Sequence, residues 1–142
     1  VTQVIVSEMI PHKEEYYCAV KSTREGTDIL VANCGGIEVE SNWDRVKRLA
    51  VDVGQQPSGV AIEKLAKDAG FTGATLKKMA DFAGKMFTCF DSEDAQYLEV
   101  NPVVLREQDS ELIALDAVNG KVAIEVLVYD RDGHMVGSAG FN

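Results

Sequence analysis

Hydrophobic positions fall along this chain in two rhythms. Thr2–Ser7, Glu15–Val20 and Asp28–Ala32 are short, β-branched or aromatic runs, the signature of strands. Ser22-Thr23-Arg24-Glu25-Gly26 separates the second run from the third. It is turn chemistry, with Gly26 free to take positive φ, so those two runs are expected to pair as a hairpin. From Ser41 the period changes. Trp43, Val46, Leu49 and Ala50 stand at helical spacing behind a candidate cap at Ser41 or Asn42, which predicts a short helix over Ser41–Val51. Val53-Gly54-Gln55-Gln56-Pro57 breaks it. Ser58 then caps a second helix, with Ile62, Leu65, Ala66 and Ala69 on one face and Gly70 as its stop. Thr72 or Thr75 opens a longer third helix, in which Leu76, Met79, Ala80, Ala83, Phe87 and Phe90 form the apolar stripe. It ends in Asp91-Ser92-Glu93-Asp94, acids that the helix dipole disfavours there and that solvent or a cation is expected to relieve.

The strand rhythm returns at Tyr97–Val104. Residues i and i+2 of a strand share a face, so Glu99 and Asn101 point one way while their apolar neighbours point the other. Pro102 biases Asn101 toward an extended backbone. The polar linker Arg106–Ser110 suits a hairpin loop before the apolar run Leu112–Leu115, which ends in Asp116. If Val104 and Leu112 close that hairpin, Glu99, Asn101 and Asp116 come together. Three oxygen-bearing side chains at one point suit a hard cation such as Mg²⁺. Equally, Asn101 and Asp116 could simply bond backbone amides. Further on, Lys121–Tyr129 reads as a strand, Asp130-Arg131-Asp132-Gly133 as a turn and His134–Val136 as the start of another strand. The small residues Gly137–Gly140 follow, before Phe141 and Asn142.

Composition narrows the function classes. The 142 residues suit one domain with a sizeable core. A formal net charge of −9 opposes general nucleic-acid binding, though not a bound nucleotide, which needs only a local basic or amide-rich pocket. Ile62–Phe71 followed by Thr75–Lys78 has the outline of a helix-turn-helix, but Lys77, Lys78 and Lys85 supply little of the basic surface that reading needs. No apolar run approaches the roughly 18 residues of a membrane span. Cys18, Cys34 and Cys89 are too widely spaced for a zinc set and read as free thiols of a reducing compartment. Gly35-Gly36 after a strand allows tight backbone approach, to a phosphate or merely through a plain turn. The chain opens on Val1 and enters a strand pattern at once, which predicts a segment cut from something longer.

Several stretches, taken in order, carry a resemblance. They are Glu14-Glu15-Tyr16-Tyr17, Ser22-Thr23-Arg24-Glu25-Gly26, Gly35-Gly36-Ile37-Glu38-Val39, Tyr97-Leu98-Glu99-Val100-Asn101-Pro102 and Ala114-Leu115-Asp116-Ala117. Over about residues 1–117 their order and rough spacing resemble the ATP-grasp region of ADP-forming acyl-CoA synthetases. That family includes the succinyl-CoA synthetase β subunit, ATP-citrate lyase and citryl-CoA synthetase. The Ser-Thr-Arg-Glu-Gly run looks more like the citrate-handling branch.

The resemblance implies a fold: an α/β lobe, the C-terminal lobe of an ATP-grasp domain, with a mainly antiparallel sheet and helices packed on it. It implies that residues 1–118 form this lobe and that 119–142 belong to the start of a CoA-ligase-type domain. It implies a reaction in which ATP phosphorylates a histidine on a partner subunit or domain. That phosphate activates a carboxylic acid, and CoA captures the acyl group. By residue, it implies Mg²⁺ at Asn101 and Asp116, phosphate transfer at Glu99, nucleotide contacts at Glu8 and Glu14, and phosphates near Gly35 and Gly36. The expected partners are ATP, CoA, a carboxylic acid such as succinate or citrate, and a CoA-binding, phosphohistidine-bearing α-type subunit in a hetero-oligomer. No nucleic acid or membrane is expected. The expected location is the cytoplasm, or the mitochondrial matrix of a eukaryote. This sequence departs from the family in lacking the first lobe, with its phosphate-contacting lysine, and the phosphorylated histidine. The contrasting expectation is a non-catalytic interaction module that keeps the fold without the chemistry.

Overall fold

The computed structural model describes residues 9–107 and 109–113 in full, and the strand backbone of 114, 117–118, 121–122, 125–129 and 135–140. The expected strand over Thr2–Ser7 therefore lies outside the described residues. A five-stranded sheet in the order β3-β2-β1-β4-β5 organises the rest. Its strands are β1 (Glu15–Ser22), β2 (Gly26–Ala32), β3 (Lys47–Asp52), β4 (Tyr97–Leu105) and β5 (Leu112–Ala114), and every pairing is antiparallel. The β1–β2 hairpin forms as expected, with Ser22 opposite Thr27. Gly26 sits at φ +152, and a Cβ there would lie 2.0 Å from the Val51 carbonyl oxygen, so the turn requires glycine.

The sheet has two unlike faces. On one, Tyr16, Cys18, Val20, Ile29, Val31, Leu98, Val100 and Val103 meet the helices α2 (Gly59–Asp68) and α3 (Gly73–Ser92). Both helices follow their predicted stripes, with Ile62, Leu65, Met79, Ala83, Phe87 and Phe90 buried. The Ser58 hydroxyl caps α2 by accepting from the Ala61 amide at 3.2 Å. Gly70 ends it at φ +93. Thr72 stands at the start of α3 without a side-chain cap bond. The acids closing α3 are exposed, and Asp91 accepts from Gln56 Nε2 at 3.2 Å. On the other face a smaller cluster, Tyr17, Ala19, Leu30, Ala32, Cys34 and Val39, lies against α1 (Gly36–Ser41) and a 3-10 turn at Trp43–Arg45.

The helix expected over Ser41–Val51 does not form. Its first part is the end of α1 and the 3-10 turn, and its second part is the edge strand β3. Leu49 and Val51 turn inward while Arg48, Ala50 and Asp52 face solvent, a period of two that the same residues also satisfy. Pairing with β2, from Gly26↔Asp52 to Val31↔Lys47, fills backbone hydrogen bonds that a helix here would leave open on β2. The β4–β5 hairpin forms one position away from the expected closure, with Leu105↔Leu112 and Val104↔Ile113. The loop sets this register through the Arg106 amide, which donates to the Glu111 carbonyl at 2.8 Å, and through Ser110 at φ +59. Farther along, β6 (Ala117–Val118) pairs with β7 (Lys121–Val122), and β8 (Glu125–Tyr129) with β9 (Met135–Gly140). The small residues Gly137–Gly140 are thus strand backbone rather than a trailing segment.

Candidate functional site

β1 and β4 lie side by side, and their ladder breaks once. Tyr16 pairs with Val103 and Cys18 with Val100, so Asn101 and Pro102 together oppose Tyr17 and the bulge lies in β4. The Asn101–Pro102 peptide is cis. Successive strand residues face opposite sides, so the two consecutive tyrosines serve opposite faces. Tyr16 points to the helices, where its ring meets Phe71 edge-on at 5.0 Å. Its hydroxyl donates to Glu14 Oε2 at 2.6 Å. Tyr17 points to the other face, edge-on to Trp43 at 5.9 Å, and its hydroxyl donates to Glu99 Oε2 at 2.9 Å. Tyr97 donates to the same Glu99 oxygen. Burial, then the bond to Glu14, pushes the Tyr16 hydroxyl well above the ordinary tyrosine range. Burial, the bond to Tyr97 and the charge of Glu99 do the same to Tyr17. Tyr97 is pushed up to about 12, first by burial and then by its bond to Glu99. All three stay protonated donors at neutral pH.

The glycine pair is built into this corner. A Cβ on Gly35 would lie 2.3 Å from the Tyr16 carbonyl oxygen, and one on Gly36 would lie 2.2 Å from Glu15 Oε2. Gly36 also takes φ +57. Backbone atoms leave no room for a side chain at Gly35, and the left-handed φ disfavours one at Gly36, where the neighbouring Glu15 side chain could move aside. The Gly36 amide donates to Asn101 Oδ1 at 2.6 Å. The Asn101 amide nitrogen faces the Gly36 carbonyl at 3.5 Å. The structure thus joins two of the sequence-predicted elements, Gly35-Gly36 and Asn101, through one short hydrogen bond. Glu99 lies two residues away on the same strand face.

Beside them, a groove of about 720 Å³ opens between the start of β1, the Gly35 turn and the α2–α3 connection, with Lys13, Glu14, Asn33, Glu38, Phe71 and Thr75 in its walls. Glu14 reaches it on the face opposite Glu99. Arg45 braces the rim, donating to Glu38 Oε1 at 2.7 Å and to Asn33 Oδ1 at 2.8 Å. His12 Nε2 lies 3.3 Å from Glu15 Oε1. These bracing residues, and the Tyr17–Tyr97 pair, were not singled out as site residues from sequence. The i, i+2 placement of Tyr97 and Glu99 was the one available signal.

Glu8 and Asp116 lie outside the described residues. Among the described residues no three His, Cys, Asp or Glu side chains stand together as a metal set. What is present suits an oxygen-preferring ion. Asn101 offers an amide oxygen with two lone pairs, one of them engaged by Gly36. Mg²⁺ is commonly held by one or two protein oxygens plus substrate phosphates, so a large side-chain cluster is not required.

An antiparallel sheet with α2 and α3 on one face, a glycine corner and a Glu-x-Asn-Pro strand on the other, defines the class. Residues 1–105 match the ATP-grasp domain family, and the chain belongs to it. It is 35% identical over 106 residues to the ATP-citrate synthase alpha chain protein 2 of Arabidopsis thaliana, covering 74% of this chain and 24% of that one. It is 30% identical over 131 residues to the succinate–CoA ligase [ADP-forming] subunit beta of Chlamydia felis, covering 88% and 33%. Among solved structures it superposes on the ATP citrate lyase of Methanothrix soehngenii, with TM-score 0.62, 24% identity, and 74% and 23% coverage. It also superposes on PH1788 from Pyrococcus horikoshii Ot3, with TM-score 0.60, 19% identity, and 75% and 48% coverage. Both structural likenesses establish the ATP-grasp fold, as a mixed α/β lobe. The chain spans about a quarter of the length of the plant relatives it matches.

Proposed function

We propose that this chain is the nucleotide-holding lobe of an ATP-dependent, ADP-forming acid–CoA ligase. The observation that carries the reading is the Gly36–Asn101 hydrogen bond, which sets the glycine corner against the Glu-x-Asn-Pro strand. Likeness to an ATP-citrate synthase chain and to a succinate–CoA ligase subunit supports it. In this reading Asn101 and Asp116 hold Mg²⁺, which screens the charge of the ATP phosphates. Gly35 and Gly36 let the phosphates approach the backbone. Glu14, and Glu8 ahead of it, contact the nucleotide. Glu99 meets the imidazole of a histidine on a CoA-binding α-type partner subunit or domain as the γ-phosphoryl group passes to that ring and ADP leaves.

The phosphohistidine then donates its phosphoryl group to a carboxylate, and the CoA thiol displaces phosphate from the resulting acyl phosphate. Citrate and succinate are the acids the relatives favour. In this reading residues 1–118 form the lobe and 119–142 begin the CoA-ligase-type domain. The assembly is a hetero-oligomer of the cytoplasm or the mitochondrial matrix. Among the described residues no helix is long and apolar enough to cross a membrane. The test is a coupled assay of the full-length protein with its partner, following CoA-dependent ADP release across citrate, succinate and malate. Release with one of these acids is expected. Absence of ADP release with every acid, with the partner bound, contradicts the reading and favours a non-catalytic module.

A further inference from the structure

Two phenol hydroxyls converge on a single carboxylate oxygen, Glu99 Oε2, from β1 and from β4 itself. The arrangement is not generic packing. Tyr17 is 1% exposed and fixed edge-on against Trp43, which holds its hydroxyl beside Glu99. Tyr97 is 39% exposed and could turn its hydroxyl to water, yet it points to the same oxygen. No other donor among the described residues reaches Glu99. One carboxylate oxygen is thereby saturated by neutral donors from both sides, while Oε1 carries no bond from a described residue. A glutamate side chain has three rotatable bonds, and leaving them free costs order at the moment of reaction.

We propose that Tyr17 and Tyr97 are positioning residues, a two-hydroxyl clamp that fixes the Glu99 carboxylate by Oε2 and presents Oε1 to an N–H donor from outside the chain. The proposal rests on the reading of Glu99 as the residue that meets the partner's imidazole. Its chemistry is orientation: the hydroxyls neither give up nor take a proton. Their raised ionisation range keeps them donors through the neutral region. Each bond is charge-assisted, the stronger kind, so losing one is expected to slow the step that depends on Glu99 about tenfold.

The test is single-turnover phosphorylation of the partner's histidine by the full-length protein, with Tyr97→Phe and Tyr17→Phe compared alone and in a Glu99→Gln background. Tyr97→Phe removes only an oxygen at a half-exposed ring, so it keeps the test usable if the buried Tyr17→Phe folds poorly. Each phenylalanine variant is expected to slow phosphoryl transfer about tenfold with the nucleotide KM unchanged. Neither should slow Glu99→Gln any further, because a residue that acts through Glu99 has nothing left to position. Phenylalanine variants as fast as wild type, beside a slow Glu99→Gln, overturn the clamp while leaving the role of Glu99 intact. Effects that multiply in the Glu99→Gln background assign the tyrosines to packing and overturn it too. A Glu99→Gln protein as fast as wild type overturns the parent reading, and with it any work for the clamp.

Discussion

Gly35 and Gly36 show how little room the corner leaves at the level of single residues. A Cβ at Gly35 would meet three backbone atoms of Tyr16, none of which can yield without moving β1. Replacing Gly35 with alanine should therefore destabilise by about 1–3 kcal/mol, the usual range for forced overpacking. Gly36→Ala adds the cost of a left-handed backbone, about 1–2 kcal/mol. Gly59→Ala is the control: its Cβ would enter open space at the start of α2, and it should be neutral or slightly stabilising. Denaturant unfolding of the full-length variants checks the series. Equal midpoints for Gly35→Ala and Gly59→Ala would show that the corner is looser than its geometry implies. From sequence, the glycine pair was equally a plain turn or a phosphate approach. The structure adds a requirement that neither reading contained, the packing of residue 35 against the Tyr16 backbone. That contact is long-range, so no local spacing encodes it.

Elements differ in how much of them the sequence carries. α2 and α3 are legible because a cap, a 3.6-residue stripe and a terminal glycine are all local. β3 is not. Val46, Leu49 and Ala50 fit a helical stripe, and Leu49 and Val51 fit a strand. Only the open edge of β2 decides between them. β4 is legible as a strand, and so is the shared face of Glu99 and Asn101. Their partners are not, because Gly36 lies 65 residues from Asn101 and Tyr17 lies 82 from Glu99. The tyrosines of β1 and β4 give these two strands a shared pH signature. Tyr16, Tyr17 and Tyr97 all ionise above the ordinary value of 10.0, so the folded protein keeps protons that the unfolded chain releases. Their contribution to stability is complete below about pH 10 and falls as pH rises through the tyrosine range. Melting temperature should decline above pH 10 and decline less steeply in Tyr97→Phe. Parallel declines in the two proteins would contradict the coupling.

On the scale of the whole molecule, the two faces of the sheet divide the work. The face under α2 and α3 supplies the hydrophobic core, and the other face holds Asn101, Glu99 and the glycine corner. The groove at the end of the sheet is lined by Glu14, which lies on the opposite face. Such an arrangement separates the polar cluster of Asn101 and Glu99 from the face that carries the larger core. A Mg-nucleotide site that includes Asn101 is tested by isothermal titration of Mg-ATP into the full-length protein. Asn101→Asp, which keeps an oxygen for both Gly36 and the metal, should bind within a few-fold of wild type. Asn101→Ala and Asp116→Ala should each weaken binding by about tenfold or more, the loss expected when a metal-site partner is removed. Wild-type affinity in both alanine variants would contradict the account.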